Sequence, residues 1–254
     1  MGSLLYFPNN FFLYIYIFSF IMEALSFFIG IIGNMISVLM FLSPVKTFWR
    51  IVKNKSTEEF ESLPYVCTLL NSSLWTYYGI TKPDSYLVAT VNGSGTVVEI
   101  VYVVLFLAFA PPRKKGETAI VAAILDIGFL AAAVLGTRFL LEGEMRIDVT
   151  GFMCSGLNII MYGSPLAAMR SVVTMKSVEY MPFLLSFFLF LNGGVWTFYA
   201  FLVRDWFLGV PNAIGFVLGT AQLVLYAIYR DHKVSKQTAY LEDGREREPL
   251  LPHP

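Results

Sequence analysis

The chain has 254 residues, of which 56% are hydrophobic, 16% aromatic and only 14% charged, and its mean hydropathy is +0.64. A soluble globule of this length needs a more polar surface, so the composition indicates a polytopic membrane protein. Eighteen basic residues balance eighteen acidic ones, which gives no reason to expect a nucleic-acid partner.

Seven apolar segments are long enough to cross a hydrocarbon core of about 30 Å, which takes about 20 helical residues. They lie at 24–43, 64–81, 87–110, 118–137, 150–169, 182–203 and 207–229. The connections between them are short, so no extramembrane domain is expected between the spans. The sequence therefore predicts an all-α membrane protein with seven transmembrane helices.

An internal repeat groups these helices. Residues 70–79, LNSSLWTYYG, return 121 residues later as LNGGVWTFYA at 191–200, and with one residue deleted Asn92 aligns with Asn212. Two three-helix units in the same orientation need an odd number of helices between them, and the fourth segment supplies one. We therefore predict two parallel repeats in a 3+1+3 arrangement. The predicted division is an apolar extension at 1–21, a first repeat at 24–110, a linker helix with its loops at 111–149, a second repeat at 150–229 and a polar tail at 230–254.

The distribution of basic residues predicts the orientation. The loops after the first, third and fifth spans, together with the tail, carry fourteen Lys and Arg residues, and the opposite side carries four. Cytosolic loops are enriched in Lys and Arg. We expect the C-terminus in the cytosol and the N-terminus across the membrane.

The reactive side chains give no sign of catalysis. Neither His232 nor His253 lies in a predicted span, and the chain has no HExxH motif, no Cys cluster and no GxSxG turn. Cys67 and Cys154 fall in apolar segments, where we expect small buried hydrophobes. The sequence predicts neither an enzyme nor a metal or cofactor site.

The polar groups that recur in both repeats are neutral. They are Asn71 with Asn192, Asn92 with Asn212, and Ser37 with Asn158, accompanied by Trp75 four residues after Asn71 and Trp196 four residues after Asn192. Amides offer two donors and two acceptor lone pairs, which suits an uncharged ligand with many hydroxyls. An indole offers a flat apolar face for a sugar ring. We expect a sugar or polyol site, with hydrogen bonding between helices as the alternative role of any single Asn.

Acidic residues support two other interpretations less well. Glu23, Glu99 and Asp126 lie in or near spans, but Glu99 aligns with Gly219, so this acid is not duplicated. A proton-coupled carrier that uses Glu99 is one alternative. A seven-helix receptor is another, although it does not explain the repeat.

Four prolines mark helix ends in both repeats, where they act as hinges or simply start and stop helices. Pro44 and Pro165 follow the first helix of each repeat, and Pro64 and Pro182 open the second.

Several blocks of sequence resemble the plant SWEET family of sugar facilitators. They are LSPVKTFWRIVKNKSTEEFESLPY at 42–65, TVNGSG at 90–95, MYGSPLAAMRSVVTMKSVEYMPF at 161–183 and VPNAIGFVLGTAQLVLYAIYR at 210–230. The resemblance covers Glu23 to about Arg230. It implies a seven-helix uniporter that moves mono- or disaccharides down their gradient, in either direction, by alternating access.

The resemblance also assigns roles to residues. It places the family's proline tetrad on Pro44, Pro64, Pro165 and Pro182, its sugar-site Asn pair on Asn92 and Asn212, its Trp pair on Trp75 and Trp196, and its size-tuning positions on Ser37, Met40, Asn71, Asn158, Met161 and Asn192. Asn at both 71 and 192 resembles the vacuolar, fructose-favouring subgroup, which implies hexoses such as fructose and glucose. Family members also self-associate.

The two chain ends generate two further expectations. Glu246 precedes the pair Leu250 and Leu251 by four residues, a pattern that sorting adaptors on the cytosolic side could bind, and we expect the vacuolar membrane rather than the plasma membrane. The apolar segment 1–21 lies outside the resemblance and is not a good signal peptide, since no Lys or Arg precedes its apolar run. We expect it to be dispensable for transport and localisation.

Overall fold

The structure, a computed structural model, describes residues 9–178 and 181–230 of the chain. Regular structure in these residues is entirely helical, which confirms the predicted all-α class. The helices are α1 Asn9–Phe41, α2 Val45–Asn54, α3 Leu63–Thr81, α4 Tyr86–Phe109, α5 Pro112–Ala122, α6 Leu130–Leu140, α7 Gly143–Met161, α8 Gly163–Met175, α9 Phe183–Leu202 and α10 Trp206–Tyr229, with a π-helical turn at Ala123–Phe129 between α5 and α6. The predicted sorting residues Glu246, Leu250 and Leu251 lie outside the described residues.

Helix α1 begins well before the span predicted at 24–43. It contains 33 residues and, at 1.5 Å per residue, is about 50 Å long, more than a hydrocarbon core of about 30 Å requires. The sequence offers no break, because the first glycine after Asn9 is Gly30 and the next proline is Pro44. Residues from Asn9 onward therefore continue the first helix, with large exposed side chains such as Phe12.

Six helical stretches of the described residues are long and apolar enough to cross a membrane. They are Phe12–Asn54, Tyr86–Phe109, Pro112–Leu140, Gly143–Met175, Phe183–Leu202 and Trp206–Tyr229. Helix α3, the remaining predicted span, has 19 residues but includes Asn71, Ser72 and Ser73, which lower its hydropathy. Ser72 is buried in the bundle. Part of the polar content of α3 is therefore turned away from lipid, as the interior of a helix bundle permits.

The linker differs from the single helix predicted at 118–137. Helix α5, the π-helical turn and α6 follow one another from Pro112 to Leu140 without a loop. A π-helical turn inserts an extra residue into a helix, which hydropathy does not reveal. Asp126 lies in this turn, and both of its carboxylate oxygens are buried without a hydrogen-bond partner.

Polar contacts tie the start of the linker to the loop between α2 and α3. Lys114 Nζ donates to the carbonyl of Phe60 at 3.2 Å and pairs with the Glu61 carboxylate at 3.0 Å. The hydroxyls of Ser62 and Thr118 lie 2.7 Å apart. The linker is therefore fastened to the first repeat immediately before α3 begins.

The repeat is also visible in the backbone. Lys55 and Lys176 each follow a short helix, α2 or α8, and each has a φ of 50°. Asp84 and Arg204 precede α4 and α10, with φ values of 57° and 55°. Non-glycine residues seldom adopt this left-handed conformation. Its recurrence at equivalent positions shows that the two halves turn in the same way.

Six long helices close into a ring around a central space. We call α1 to α4 the first unit and α7 to α10 the second unit. Helix α1 packs against α4 of its own unit and α9 of the other, and α7 packs against α10 and α3 in the equivalent way. Because α3 also packs on α4 and α9 on α10, the ring runs α1, α4, α3, α7, α10, α9. The linker packs outside it, against α3, α4 and α7.

Glycines permit the closest contacts within this ring. A Cβ atom at Gly79 would lie 2.5 Å from the backbone nitrogen of Ala89, and one at Gly193 would lie 2.6 Å from that of Phe216. These contacts join α3 to α4 and α9 to α10. In each case the atom that a Cβ would contact belongs to the backbone, which cannot move out of the way by a change of rotamer as a side chain can.

We expect Gly193→Ala to lower the melting temperature of the purified protein in detergent. The added methyl group must push α9 away from α10, and overpacking of this kind costs about 1–3 kcal/mol. Gly136→Ala is the matched control, because nothing lies within 4 Å of a Cβ atom at Gly136 and alanine favours a helix over glycine. Equal melting temperatures for the two variants would contradict the close contact.

Candidate functional site

A cavity of about 490 Å³ lies inside the ring, between the two units. All ten residues predicted to bind substrate line it: Ser37, Met40, Asn71, Trp75, Asn92, Asn158, Met161, Asn192, Trp196 and Asn212. They come from α1, α3 and α4 of the first unit and from α7, α9 and α10 of the second. The fold therefore brings the paired positions of the repeat to one place.

One side of the cavity carries a continuous chain of hydrogen bonds between the units. The indole Nε1 of Trp196 donates to Ser37 Oγ at 3.0 Å. Ser37 Oγ in turn donates to Asn192 Oδ1 at 2.7 Å. Helix α1 is thereby bonded to two residues of α9, and the Asn192 amide is held in one orientation.

The equivalent positions on the other side are connected less completely. Trp75 Nε1 donates to Asn158 Oδ1 at 3.4 Å, which again joins the two units. Asn71, the equivalent of Asn192, has an Oδ1 atom that is buried and has no hydrogen-bond partner among the residues that the structure describes. The difference follows from the sequence, because Ser37 of the first unit is replaced by Asn158 in the second.

Asn92 and Asn212 are arranged alike. Each Nδ2 donates to the carbonyl four residues earlier on its own helix, Val88 at 2.9 Å and Leu208 at 2.8 Å. These bonds fix the two amides and leave each Oδ1 available to a donor in the cavity. Two acceptors on opposite walls can therefore meet one hydroxyl-rich ligand from both sides.

Both tryptophans are almost completely buried, with 2% of Trp75 and 4% of Trp196 exposed. Each indole packs edge to face on the tyrosine three residues later, with ring centroids 5.3 Å apart for both Trp75–Tyr78 and Trp196–Tyr199. This packing and the Nε1 hydrogen bonds hold the indoles rigidly. The two indoles therefore form fixed apolar walls beside the paired amides of Asn71, Asn92, Asn192 and Asn212.

Sequence reasoning missed a polar cluster at one end of the cavity, formed by Tyr78, Lys82 and Asp205, which we call the clasp. Lys82 Nζ lies 2.7 Å from the Asp205 carboxylate, whose side chain is 1% exposed. Tyr78 OH donates to the same carboxylate at 3.0 Å, and so does the backbone N–H of Leu208 at 3.1 Å. The clasp joins the end of α3 to the start of α10. An acid directly before a helix, as at Asp205, was the available signal.

The cavity extends away from the clasp. Its wall continues along Pro165 and Ala168 of α8, Leu185 of α9 and Gln222 of α10, toward the opposite end of the bundle. Neither Tyr78 nor the charged residues of the clasp belong to the wall. The clasp therefore closes one end of the ring, and the cavity reaches toward the other.

The four predicted hinge prolines all lie at the beginnings of helices. Pro44 and Pro182 stand immediately before α2 and α9, and Pro64 and Pro165 lie in the first turns of α3 and α8, where a proline removes no helical hydrogen bond. Only Pro165 of these four contributes to the cavity wall.

A fifth proline, Pro211, interrupts a helix beside the cavity and was not predicted as a hinge. It lies inside α10, next to Asn212, and cannot donate to the carbonyl of Phe207. Ser155 Oγ donates to that carbonyl instead, at 2.6 Å, and Tyr162 OH donates to the carbonyl of Pro211 itself, also at 2.6 Å. Ser155 of α7 therefore replaces the backbone bond that Pro211 cannot make, and Tyr162, between α7 and α8, adds a second bond to α10.

The acidic residues considered from the sequence lie elsewhere. Glu99 is 3% exposed, its Oε2 has no hydrogen-bond partner, and it does not line the cavity. Asp126 belongs to the linker, outside the ring. The residues that the structure describes contain no cluster of His, Cys, Asp or Glu able to hold a metal ion.

Comparison with known proteins agrees with this geometry. A family model described as "Sugar efflux transporter for intercellular exchange" matches residues 27–114 and again 148–234. Bidirectional sugar transporter SWEET17 of Arabidopsis thaliana is 62% identical over 213 residues, covering 84% of this chain and 88% of the relative. Bidirectional sugar transporter SWEET16 of the same plant is 56% identical over 211 residues, covering 83% and 92%.

A solved structure shares the fold. It is described as the 3.7 Å resolution structure of a eukaryotic SWEET transporter, and it matches this chain with a TM-score of 0.80 and 37% sequence identity. The match covers 83% of this chain and 99% of the solved one. The duplicated family match, the identities and the shared fold agree with the paired residues around the cavity. On this evidence the chain belongs to the SWEET family of sugar transporters.

Proposed function

We propose that this protein is a bidirectional, facilitative sugar transporter that carries hexoses across a membrane by alternating access. The observation that carries the proposal is the cavity between the units, with paired Asn and Trp side chains from both. The named relatives, which are bidirectional sugar transporters, support the same function.

The chemistry of the cavity supports a neutral, hydroxyl-rich substrate. Its described wall contains six Asn or Gln amides besides hydroxyl, aromatic and aliphatic side chains, and no Asp, Glu, Lys, Arg or His (the amides are Asn71, Asn92, Asn158, Asn192 and Asn212, with Gln222 toward the open end). A charged substrate buried there would lack an opposite charge, which is costly in an apolar bundle. Amides at Asn71 and Asn192, with Met40 and Met161, narrow the space and favour a hexose over a disaccharide.

The position of the acids supports uniport. A proton-coupled carrier would need an ionisable group in contact with the substrate path, and Glu99 is not part of the cavity wall. A receptor function explains neither the duplicated residues of the cavity nor the similarity of the chain to sugar transporters. Neither alternative therefore gains support, and we assign facilitated diffusion.

Alternating access requires each end of the cavity to open and close in turn. The clasp is closed here, so the structure corresponds to access from the end near α8. Opening the clasp end requires the Lys82–Asp205 ion pair to separate, while the proline-led helices α2, α3, α8 and α9 supply the bends.

For cellular location we propose the vacuolar membrane with the C-terminus in the cytosol. The count of fourteen basic residues against four supports the orientation. Asn at both 71 and 192, and the acidic dileucine pattern of Glu246, Leu250 and Leu251, support the vacuolar assignment and a preference for fructose. We also propose that sorting adaptors bind this pattern, that copies of the chain self-associate, and that residues 1–21 are dispensable.

We expect Asn92→Ala and Asn212→Ala each to reduce hexose uptake to background. Each variant removes one amide of the pair that the two units contribute. It leaves a sugar hydroxyl without a hydrogen-bond partner, which weakens binding by about 1–3 kcal/mol. Radiolabelled hexose uptake in transporter-deficient yeast measures the effect, with a fluorescent fusion to report membrane level. Trp75→Ala and Trp196→Ala should behave similarly. Asn54→Ala, which alters an exposed amide on α2, should keep uptake, and normal uptake in both the Asn92 and Asn212 variants would contradict the site.

We expect Asp205→Asn to lower hexose uptake by at least about tenfold at normal membrane level. Removing one partner of a buried ion pair costs about 3–5 kcal/mol when the other is fully buried, and less here because a quarter of the Lys82 side chain is exposed. The matched control is Glu117→Gln, which breaks an exposed pair with Arg113 worth about 0.3–0.5 kcal/mol. Equal uptake by the two variants would argue against the clasp as a gate.

We expect Leu250→Ala together with Leu251→Ala to move a fluorescent fusion from the vacuolar to the plasma membrane. Uptake by the redirected protein should then rise in intact cells, because more transporter reaches the cell surface. Microscopy with a vacuolar membrane marker measures the shift. A vacuolar pattern that does not change would assign the sorting signal to another segment.

A further inference from the structure

The cavity wall departs from the two-fold relation between the units at one pair of positions. Ser37 on α1 and Asn158 on α7 are equivalent by the repeat, and each accepts a hydrogen bond from the tryptophan of the opposite unit. The serine hydroxyl both accepts and donates, so it passes a second bond on to Asn192. The carbonyl oxygen of Asn158 only accepts, and the Asn158 amide nitrogen, which could donate, makes no bond to Asn71 Oδ1, since that oxygen has no partner among the described residues.

This difference makes the two remaining amides unequal. Asn192 has its Oδ1 bonded to Ser37, so its orientation is fixed and its Nδ2 is the group left for a ligand. Asn71 lines the same cavity, but its Oδ1 is buried with no partner among the described residues. Rotation about the last torsion of an Asn side chain is soft. The Asn71 amide can therefore turn and present its oxygen to a ligand, whereas that of Asn192 cannot without breaking a bond.

A buried acceptor without a donor is unfavourable, so a ligand that supplies a donor binds more tightly at Asn71 than elsewhere on the wall. The described part of the cavity wall contains no Lys, Arg or His to supply one. A hydroxyl group of the transported molecule is the remaining donor class. Asn92 and Asn212 also leave an oxygen available, but they do so alike in both units, so Asn71 is the acceptor that distinguishes one unit from the other. The equivalent site on the second unit is already filled by Ser37.

Building on the proposed transport of hexoses, we propose that Ser37 and Asn158 make the cavity directional, so that the sugar binds in one orientation about the membrane normal, with a hydroxyl donating to Asn71 Oδ1. Asn192 then contributes a donor rather than an acceptor. If the two units were identical, the sugar could bind equally well in two orientations related by the two-fold axis. Ser37, which has no serine equivalent in the second unit, makes these two orientations unequal. Asn92 and Asn212, which are bonded alike in both units, hold the sugar without choosing between them.

The test compares Asn71→Leu with Asn192→Leu, which remove the amide at nearly constant volume, in two backgrounds. The first is the unaltered chain and the second is the exchange variant Ser37→Asn with Asn158→Ser. The exchange keeps the same set of groups in the cavity but moves the hydroxyl that can donate to the other unit. The KM for one radiolabelled hexose and the membrane level are measured for each protein in transporter-deficient yeast.

In the unaltered chain we expect Asn71→Leu to raise KM by at least about tenfold, because one buried hydrogen bond to the sugar is lost. The increase in KM for Asn192→Leu should be several-fold smaller than that for Asn71→Leu. In the exchange background the order should reverse, because the introduced serine now holds Asn71 and Asn192 becomes the unoccupied acceptor. Equal rises of KM for the two leucine variants in the unaltered chain overturn the proposal by themselves. An unchanged order in the exchange background overturns it as well.

Two controls separate this proposal from the others. If the unaltered chain does not take up hexose, the proposed function fails and the comparison of KM values has no meaning. If an exchange variant does not reach the membrane, thermal stabilisation of purified Asn71→Leu and Asn192→Leu proteins by the same hexose replaces it. A smaller stabilisation for Asn71→Leu supports the directional cavity, and equal stabilisation contradicts it.

Discussion

Hydrogen bonds between the two units are the interactions on which the rest of this structure depends. Hydrocarbon offers no partner to a polar side chain, so amides and indole N–H groups inside an apolar bundle must find one another. Trp196 meets Ser37, and Trp75 meets Asn158, each across the boundary between the units. These two contacts hold α9 to α1 and α3 to α7, and so close the ring around the cavity.

The same requirement is met where a proline interrupts α10 beside the cavity. Proline in α10 frees the carbonyl of Phe207, and Ser155 of α7 satisfies it. In the first unit the equivalent carbonyl, that of Leu87, accepts from Asn34 of α1 at 3.1 Å. Side chains of the leading helices thus bond backbone groups beside the site in both units. Hydroxyls and amides can follow a moving carbonyl more easily than an intrahelical bond can.

Duplication marked the paired Asn and Trp positions and the pair Ser37 and Asn158 in the sequence, and the family resemblance added Met40 and Met161. These ten predicted residues line one cavity. The clasp is only half marked, because Asp84 stands 121 residues before Asp205 but Val203 stands 121 residues after Lys82, so the ion pair is not duplicated. The π-helical turn at Ala123–Phe129 was also missed, because it changes hydrogen bonding within a helix whose hydropathy is unaffected.

Parallel repeats are related by an axis along the membrane normal, so duplication makes the two walls of the cavity alike but not its two ends. Tyr78 and Tyr199 are equivalent and pack on their tryptophans in the same way, yet only Tyr78 donates to the Asp205 carboxylate. The Asp205 carboxylate therefore joins the start of α10 to Tyr78 of α3 and to Lys82, directly after α3. This contact lies at one end of the bundle alone. In the transport cycle proposed above, this bond separates when that end opens, so its strength influences how long the cavity faces the other side. The repeat builds the walls of the cavity, and the clasp, a contact that Tyr199 does not repeat, is placed to control one of its ends.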